Sequence, residues 1–581
     1  MIKFKFINIF LIIFLHSSNL FSFTISKEIV EKYDNIFDKK ILSNIDVKNY
    51  HNIIEYQENC EWKLANKFIF KIKNRILIGH ILAQRYLHPR CYRSEFLELK
   101  SWLELYNDLP QAKRIYRLAI KRMPKGYKRP KPPIKPIGVE ASNLNPVKKK
   151  TYNSSLKLSK NQRTEKRKLL NAIKSRVNRG WPTGAAELLK QRDVNILLDQ
   201  TEIDMQKELI AKGYYLANKN ELAIKFADES LKNSYIHVPY ASWTAGLAAW
   251  RLKRYDLSAK YFSNFSILLT DDEWHQASGS FWAARSYAQL NKFDEINFWL
   301  KKAANNPTSF YGMLSSNILG INKPINWNEK NIKSKIFDKI KNLPSGKRIQ
   351  ALIQIGLIEE IEKEIIKLNN TLNRDIALWS LEISNHFNLA YTQLKITNKL
   401  SQYGISVPTK YLYPIPQWKP KSGFKINSSL IYAFMHQESM FNSSAKSSKG
   451  ALGLMQILPS TAKFISSDRS VRRDPQVKLK VPEVNLDVGQ EYIIYLLENE
   501  NVKNNLIYLA AAYNGGPGNL SKWKNKTNFN NDPLLFMESI PSRETRWFIE
   551  KIITKYWIYE NRNGITTKSL ELLAKGMNPD Y

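Results

Sequence analysis

The sequence predicts an all-α protein, a curved helical-repeat (tetratricopeptide-like) solenoid followed by a compact, α-rich C-terminal domain. Three observations predict it. Apolar residues recur at three- and four-residue spacing over most of the chain. Similar short pieces recur 36 and then 38 residues apart. No sustained alternation of apolar and polar residues appears, so strands are expected to be few and short.

In chain order, the N-terminus comes first. Lys3 and Lys5 precede the apolar run Ile7 to Leu15, and Ser17, Ser18 and Ser22 follow. This is the pattern of a secretory signal peptide over 1–22. The run is far shorter than the ~20 apolar residues of a membrane-spanning helix, so no stable span is expected after cleavage. An exported chain meets an oxidising compartment. For Cys60 and Cys91, a disulfide and two buried, unbridged helix cysteines are both open, and two cysteines by themselves make no zinc site.

Helical spacing runs through a segment at 27–123, as in Trp102, Leu103, Leu105 and Tyr106. A Pro- and Lys-rich stretch at 124–162 then breaks the pattern, with Pro130, Pro132, Pro133, Pro136 and Pro146, and is expected to be an extended or disordered linker. Helical spacing returns over 163–410. Within it recur Leu216-Ala217-Asn218-Lys219, Leu252-Lys253-Arg254-Tyr255 and Leu290-Asn291-Lys292-Phe293. A helical hairpin cannot cover its own apolar face, so stacked hairpins must bury a continuous core. Trp243, Trp250, Trp282 and Trp299 are read as packing between those repeats. Pro414, Pro416 and Pro420 mark the passage to the C-terminal domain at 420–565, which a tail at 566–581 follows.

The length of 581 residues calls for roughly three to five folding units. A 43% hydrophobic and 12% aromatic content supplies their cores. The net charge of +37, densest over Lys148 to Lys168, attracts polyanions. No helix-turn-helix, zinc-finger or aromatic RNA-binding signature points to nucleic acid. A membrane surface and the acidic polymers of a cell wall fit the same field, the charge alone does not choose between them, and a Lys-rich compositional bias accounts for it equally well.

The chemistry is expected in the C-terminal domain. In Ser428-Ser429-Leu430-Ile431-Tyr432-Ala433-Phe434-Met435-His436-Gln437-Glu438-Ser439, the serines are placed to cap a helix. Glu438 follows Phe434 by four residues and Ile431 by seven, so its carboxyl group shares the core-facing side. No Lys or Arg lies three or four residues away to neutralise it. Desolvation without a cation raises a carboxyl pKa, and a carboxyl raised toward neutrality can act as a general acid. A frayed, exposed helix-end glutamate is the plainer reading of the same pattern. Gly450 to Ala462 is Gly-punctuated and starts a new helix near Pro459, and Gln456 within it offers an amide donor and acceptor. Leu509 to Gly518 is a helix stopped by glycines and Pro517, which places Tyr513 and Asn514 at a helix end. Read singly, such a Gln ties down a loop and such an Asn is a helix cap.

Together these stretches resemble the soluble lytic transglycosylase family. The resemblance runs through Tyr413-Pro414, Glu438-Ser439 with Phe441, Ser447, the Gly450 to Ala462 block, Ala512-Tyr513-Asn514-Gly515 with Pro517-Gly518 and Trp523, then Glu538, Ile540-Pro541 and Glu544-Thr545-Arg546. More loosely it reaches upstream to Phe310-Tyr311-Gly312. It implies a lysozyme-like catalytic domain behind a helical superdomain, with Glu438 as catalytic acid and base. Ser439, Ser447, Gln456, Tyr513, Asn514 and Phe548 are the implied substrate-contacting residues. Two positions depart from the pattern. Phe548 stands where the family usually has tyrosine, and Leu458 where it often has methionine.

Ordinary glycosidases use two carboxyl groups. Between Glu438 and Asp468 no acid occurs, and Asp468, Asp474, Glu483, Asp487 and Glu491 lie outside the motif blocks. The resemblance therefore implies a peptidoglycan lyase without metal or organic cofactor. It would cleave the bond between N-acetylmuramic acid and N-acetylglucosamine and leave 1,6-anhydro ends, in the periplasm, on peptidoglycan strands, with other cell-wall enzymes as further partners. The alternatives are a goose-type lysozyme reaction, with water attacking, and a non-catalytic wall-binding scaffold.

Overall fold

The computed structural model describes residues 26–33, 37, 39–89, 91–142, 146–147, 152–321, 325–327 and 337–581. The signal peptide expected at 1–22 lies outside them. No described helix is long and apolar enough to cross a membrane. Among the described residues the fold is all-α, and pairing of extended backbone is confined to isolated bridges such as Lys446 with Leu452 and Leu452 with Ile457.

The chain divides into two compact units, 1–145 with 331–406, and 146–330 with 407–581. These differ from the stretches read from periodicity, because the helices after 331 pack with the N-terminal helices. The spacing that marks a residue as buried does not say which neighbour buries it.

In the first unit, helices Phe96–Tyr106 and Ala112–Arg122 close over Leu99, Trp102, Leu103 and Ile115. The Trp102 indole donates to the Gly79 carbonyl at 2.9 Å. Cys60, in left-handed conformation at φ 64°, turns the chain between helices Asn44–Glu58 and Trp62–Lys71 and is bridged to Cys91. The bridge closes a loop of sequence separation 31, for which chain entropy gives about 3–4 kcal/mol. The Pro-rich stretch after Met123 is non-helical, as its prolines require, yet bonded to this unit. Ile134 N–H donates to Asn107 O at 3.0 Å and Ser142 N–H to Leu372 O at 2.7 Å. Inside, His80 lies between the carboxylates of Glu360 at 3.2 Å and Glu364 at 3.0 Å. Arg348 holds Glu364 at 2.7 Å and Asp108 at 2.9 Å.

In the second unit, the repeated sequence pieces are the turns of helical hairpins. Helices Gln200–Leu216 and Asn220–Ser234 form one pair, Pro239–Arg251 and Tyr255–Leu268 the next, Glu273–Gln289 and Phe293–Ala304 a third. Asn218, Lys253 and Asn291 each take the left-handed conformation, at φ 57°, 59° and 55°. The following amide closes each turn: Lys219 onto Tyr214 at 2.9 Å, Arg254 onto Ala249 at 2.9 Å, Lys292 onto Tyr287 at 3.1 Å. Trp282 and Trp299 are buried, as core packing requires. Trp243 touches the rings of Phe262 and Trp282 but also lines a cavity. Gly279 lets two helices touch, since a Cβ there would lie 2.8 Å from the Ser266 nitrogen.

The same unit carries the C-terminal domain. Helix Ser428–Ser439 packs along helix Arg543–Arg562, which also receives helix Leu506–Gly515. The stretch after 566, expected as a tail, holds helix Lys568–Ala574, fastened where the Trp557 indole donates to Ser569 at 2.9 Å.

Candidate active site

The helix bearing Glu438 starts one residue earlier than the serines suggested. Asn427 is its cap and accepts from the Ser429 amide at 2.9 Å, while Ser428 and Ser429 are its first turn. The helix ends at Ser439, after which Met440 and Phe441 both take positive φ, 51° and 62°. Two successive non-glycine residues there store backbone strain beside the carboxyl group. Ile431, Phe434 and Met435 are buried, and Glu438 is half-buried on their side.

Burial, and then the charge of Glu544, push the Glu438 pKa up to about 8. No ion pair to Glu438 forms among the described residues. The nearby lysines are weak cations. Burial and the Lys551 charge bring Lys555 down to about 7, and burial brings Lys551 to about 8. Lys555 is committed to the Gln437 side chain at 2.6 Å, and His436 shares a 3.1 Å hydrogen bond with the Tyr559 hydroxyl. Below pH 8, then, Glu438 is mostly a protonated acid.

Of the expected contact residues, Tyr513 and Phe548 come together and Tyr513 reaches the loop that carries Gln456, while Ser439 and Ser447 bond within their own segments. Tyr513 stands against Phe434 at 4.4 Å between ring centroids and nearly parallel to Phe548 at 6.3 Å. Its hydroxyl donates to the Met455 carbonyl at 2.7 Å. The Asn514 side-chain oxygen accepts from Thr545 at 2.8 Å. Gln456, at φ 48°, donates to the Gly453 carbonyl at 2.9 Å. Ser447 accepts from the Ala451 amide at 3.0 Å, and Ser439 donates to the Met435 carbonyl at 3.0 Å. Phe548, 5% exposed, is packed into this ring cluster.

Two further residues shape the site. Asn485, fully buried, accepts from Met455 N–H at 2.9 Å and donates to Leu452 O at 2.9 Å and Leu479 O at 3.0 Å. Gly453, at φ +75°, lets this amide in, because a Cβ there would sit 2.4 Å from its nitrogen. Glu544 supplies the like charge beside Glu438. The sequence placed it in a motif block but held no signal of that proximity.

Four of the five acids left open by the sequence, all but Glu483, are tied into local structure. Asp468 and Asp474 cap short helices, Asp487 accepts from Ser422 at 2.6 Å, and Glu491 accepts from Ser467 at 2.6 Å. Cys60, His88 and Cys91 are the one described cluster with metal-ligand spacing, and the disulfide occupies both sulfurs.

The class that fold and site define is an all-α chain carrying a Transglycosylase SLT domain, whose family model matches residues 417–536. The resemblance to the soluble lytic transglycosylases is borne out over this domain. A soluble lytic murein transglycosylase of Salmonella typhimurium is 38% identical over 144 residues, 24% of this chain and 22% of that protein. One of Escherichia coli strain K12 is 37% identical over 133 residues, 23% of this chain and 20% of that one. The match thus spans about a fifth of these relatives' length. Among solved structures, an inactive mutant of the lytic transglycosylase Slt from Pseudomonas aeruginosa is similar with a TM-score of 0.53 at 18% identity, covering 93% of this chain and 90% of that one. The 70 kDa soluble lytic transglycosylase of Escherichia coli gives 0.51 at 16%, covering 90% and 97%. At these identities the shared property is the fold, a helical superdomain with a lysozyme-like domain.

Proposed function

We propose that this protein is a peptidoglycan lytic transglycosylase in which Glu438 alone serves as acid and base. The observation that carries the reading is the half-buried Glu438 carboxyl, its pKa raised to about 8 by burial and the Glu544 charge, with no ion-pair partner among the described residues. In its protonated form it donates to the oxygen leaving between N-acetylmuramic acid and N-acetylglucosamine. As carboxylate it then takes the proton of the muramic acid 6-hydroxyl, which attacks the anomeric carbon of its own ring. One C–O bond breaks, one forms, and Glu438 ends protonated as it began. No water is consumed, and the internal nucleophile benefits from a high effective concentration.

Tyr513, Phe434 and Phe548 form an apolar wall that keeps water from the carboxyl group. Gln456, Asn514, Ser439 and Ser447 contribute by holding the loop and helix ends around the sugar. Support comes also from the solved Pseudomonas aeruginosa structure, an inactive mutant with glutamine in place of one glutamate. The signal-peptide pattern at 1–22 and the relatives' murein substrate support a periplasmic site of action.

The test is mass spectrometry of sacculi digested with the protein. 1,6-Anhydro ends are expected, and Glu438→Gln should yield none. Reducing ends would instead identify a lysozyme-type hydrolysis, and unchanged sacculi a scaffold.

A further inference from the structure

Helices Ser428–Ser439 and Leu506–Gly515 both end at the proposed site, the first with Glu438 in its last turn, the second with Tyr513 and Asn514. Their starts lie a helix length away, roughly 18 and 15 Å at the rise of an α-helix. One short segment, residues 579–581, holds both starts. The Tyr581 hydroxyl accepts from the backbone N–H of Asn427, the cap of the first helix, at 2.7 Å. The Pro579 carbonyl accepts from the N–H of Leu506, the first residue of the second, at 3.0 Å. Between them Asp580 forms an isolated bridge with Asn505, the cap of that second helix.

Neither start is secured by its own helix alone, because the first amides of a helix have no intrahelical partner. Asn427 caps the Ser429 amide at 2.9 Å, and Asn505 caps Ile507 and Tyr508 at 2.9 and 3.1 Å. The Asn427 and Leu506 amides are left to Tyr581 and Pro579. Just before Asn505, Lys503 and Asn504 take positive φ, 47° and 58°. Two successive left-handed residues other than glycine persist only where surrounding bonds hold them. The Tyr581 amide does so by donating to the Asn504 carbonyl at 2.9 Å.

Helix Arg543–Arg562 completes the clasp. It carries Phe548 and Glu544 near its start, and near its end Glu560 accepts from the Asn427 side chain at 3.1 Å. The Tyr556 ring lies 6.3 Å from that of Tyr581. Glu560 and Tyr556 are buried, whereas Tyr581 is 37% exposed and so adds little to the core beyond these bonds.

We propose that Tyr581 is a positioning residue for Glu438, with residues 579–581 locking the two helix starts together and so fixing the axial register of Glu438 against Tyr513. The effect on turnover rests on the transglycosylase reading above. Packed helices slide past one another in small shear movements, which ring packing at the far end does not by itself prevent. A shift of about 1 Å at the reacting atoms lowers a rate by as much as about a hundredfold.

The experiment compares the native protein with Tyr581→Phe, which keeps the ring and loses the acceptor, and with a variant lacking residues 579–581. Initial rates on peptidoglycan and amide hydrogen exchange are measured well below the melting temperature of each. We expect kcat to fall about threefold in Tyr581→Phe and at least about tenfold in the deletion, with KM unchanged. Exchange should quicken at the helix starts and also at the site, over residues 436–442 and 453–457. Unchanged kcat in Tyr581→Phe, or quickened exchange confined to the helix starts, overturns the proposal, and neither outcome depends on whether the deletion variant folds. If the native protein cleaves no peptidoglycan, the transglycosylase reading fails, and exchange at the site alone decides whether the clasp acts there.

Discussion

The Tyr513 hydroxyl donates to the Met455 carbonyl at 2.7 Å, and so ties the end of helix Leu506–Gly515 to the loop that carries Gln456. Tyr513→Phe leaves that carbonyl unpaired while keeping the ring. Chemical denaturation is expected to show a loss of about 1–2 kcal/mol. Turnover is expected to fall without change of product, because the loop shifts but the acid stays. A variant with full activity and stability would mean that the bond holds nothing in place.

Glu438 sets the pH dependence. Its folded pKa of about 8 lies above the unfolded carboxyl value of about 4.3, so its ionisation opposes folding, and the penalty grows as pH rises between the two. Glu438→Gln removes that penalty. At neutral pH its stability should be unchanged or higher by at most about 1–2 kcal/mol after solvent screening. In the native protein kcat/KM should decline above pH 8 as the acid is lost. A rate still rising at pH 9 would contradict the assignment.

Phe548 is packed against Phe434 and Tyr513, so a hydroxyl added there enters an apolar cluster one helical turn from Glu438. Phe548→Tyr is expected to lower stability by about 1 kcal/mol. By offering a donor to the carboxylate, it should also move the alkaline limb of the rate profile to lower pH. Identical profiles in both forms would reduce this position to packing.

In the first unit, burial alone would lower the His80 pKa, but its bonds to Glu360 and Glu364 reverse this and raise it. Burial would raise Glu360, yet His80 and Lys363 bring it to about 2. The carboxylate contribution is therefore complete above about pH 4.3 and lost as pH falls toward 2. The His80 contribution is complete below about pH 6.5 and lost as pH rises through its raised value. His80→Ala should cost about 1–3 kcal/mol near pH 6, because two buried carboxylates each lose one partner while Arg348 and Lys363 stay in place. Thermal unfolding from pH 3 to 9 checks both limbs, and a flat profile would contradict them.

The helices and the hairpin turns were legible in the sequence. Asn218 and Asn291 recur because asparagine tolerates the left-handed turn, and Lys253 shows that the turn, not the residue type, is what repeats. Glu438 stood out because its helical phase set an acid among apolar residues. The Glu544 charge beside it, the Asn485 anchor and the association of 331–406 with the N-terminal helices depend on contacts between segments far apart in the chain. Spacing within one helix carries no signal of these. The capping residue was misplaced by one because Asn427, Ser428 and Ser429 all favour helix starts, and only tertiary packing chooses among them.

In the proposed reaction one carboxyl group and an internal hydroxyl suffice. It is tested most directly by digesting sacculi in water enriched in heavy oxygen and weighing the new glycan ends. The new ends are expected to be lighter by one water than reducing ends and free of heavy oxygen. Reducing ends that carry the label would show that water, not the 6-hydroxyl, is the nucleophile, and would contradict it.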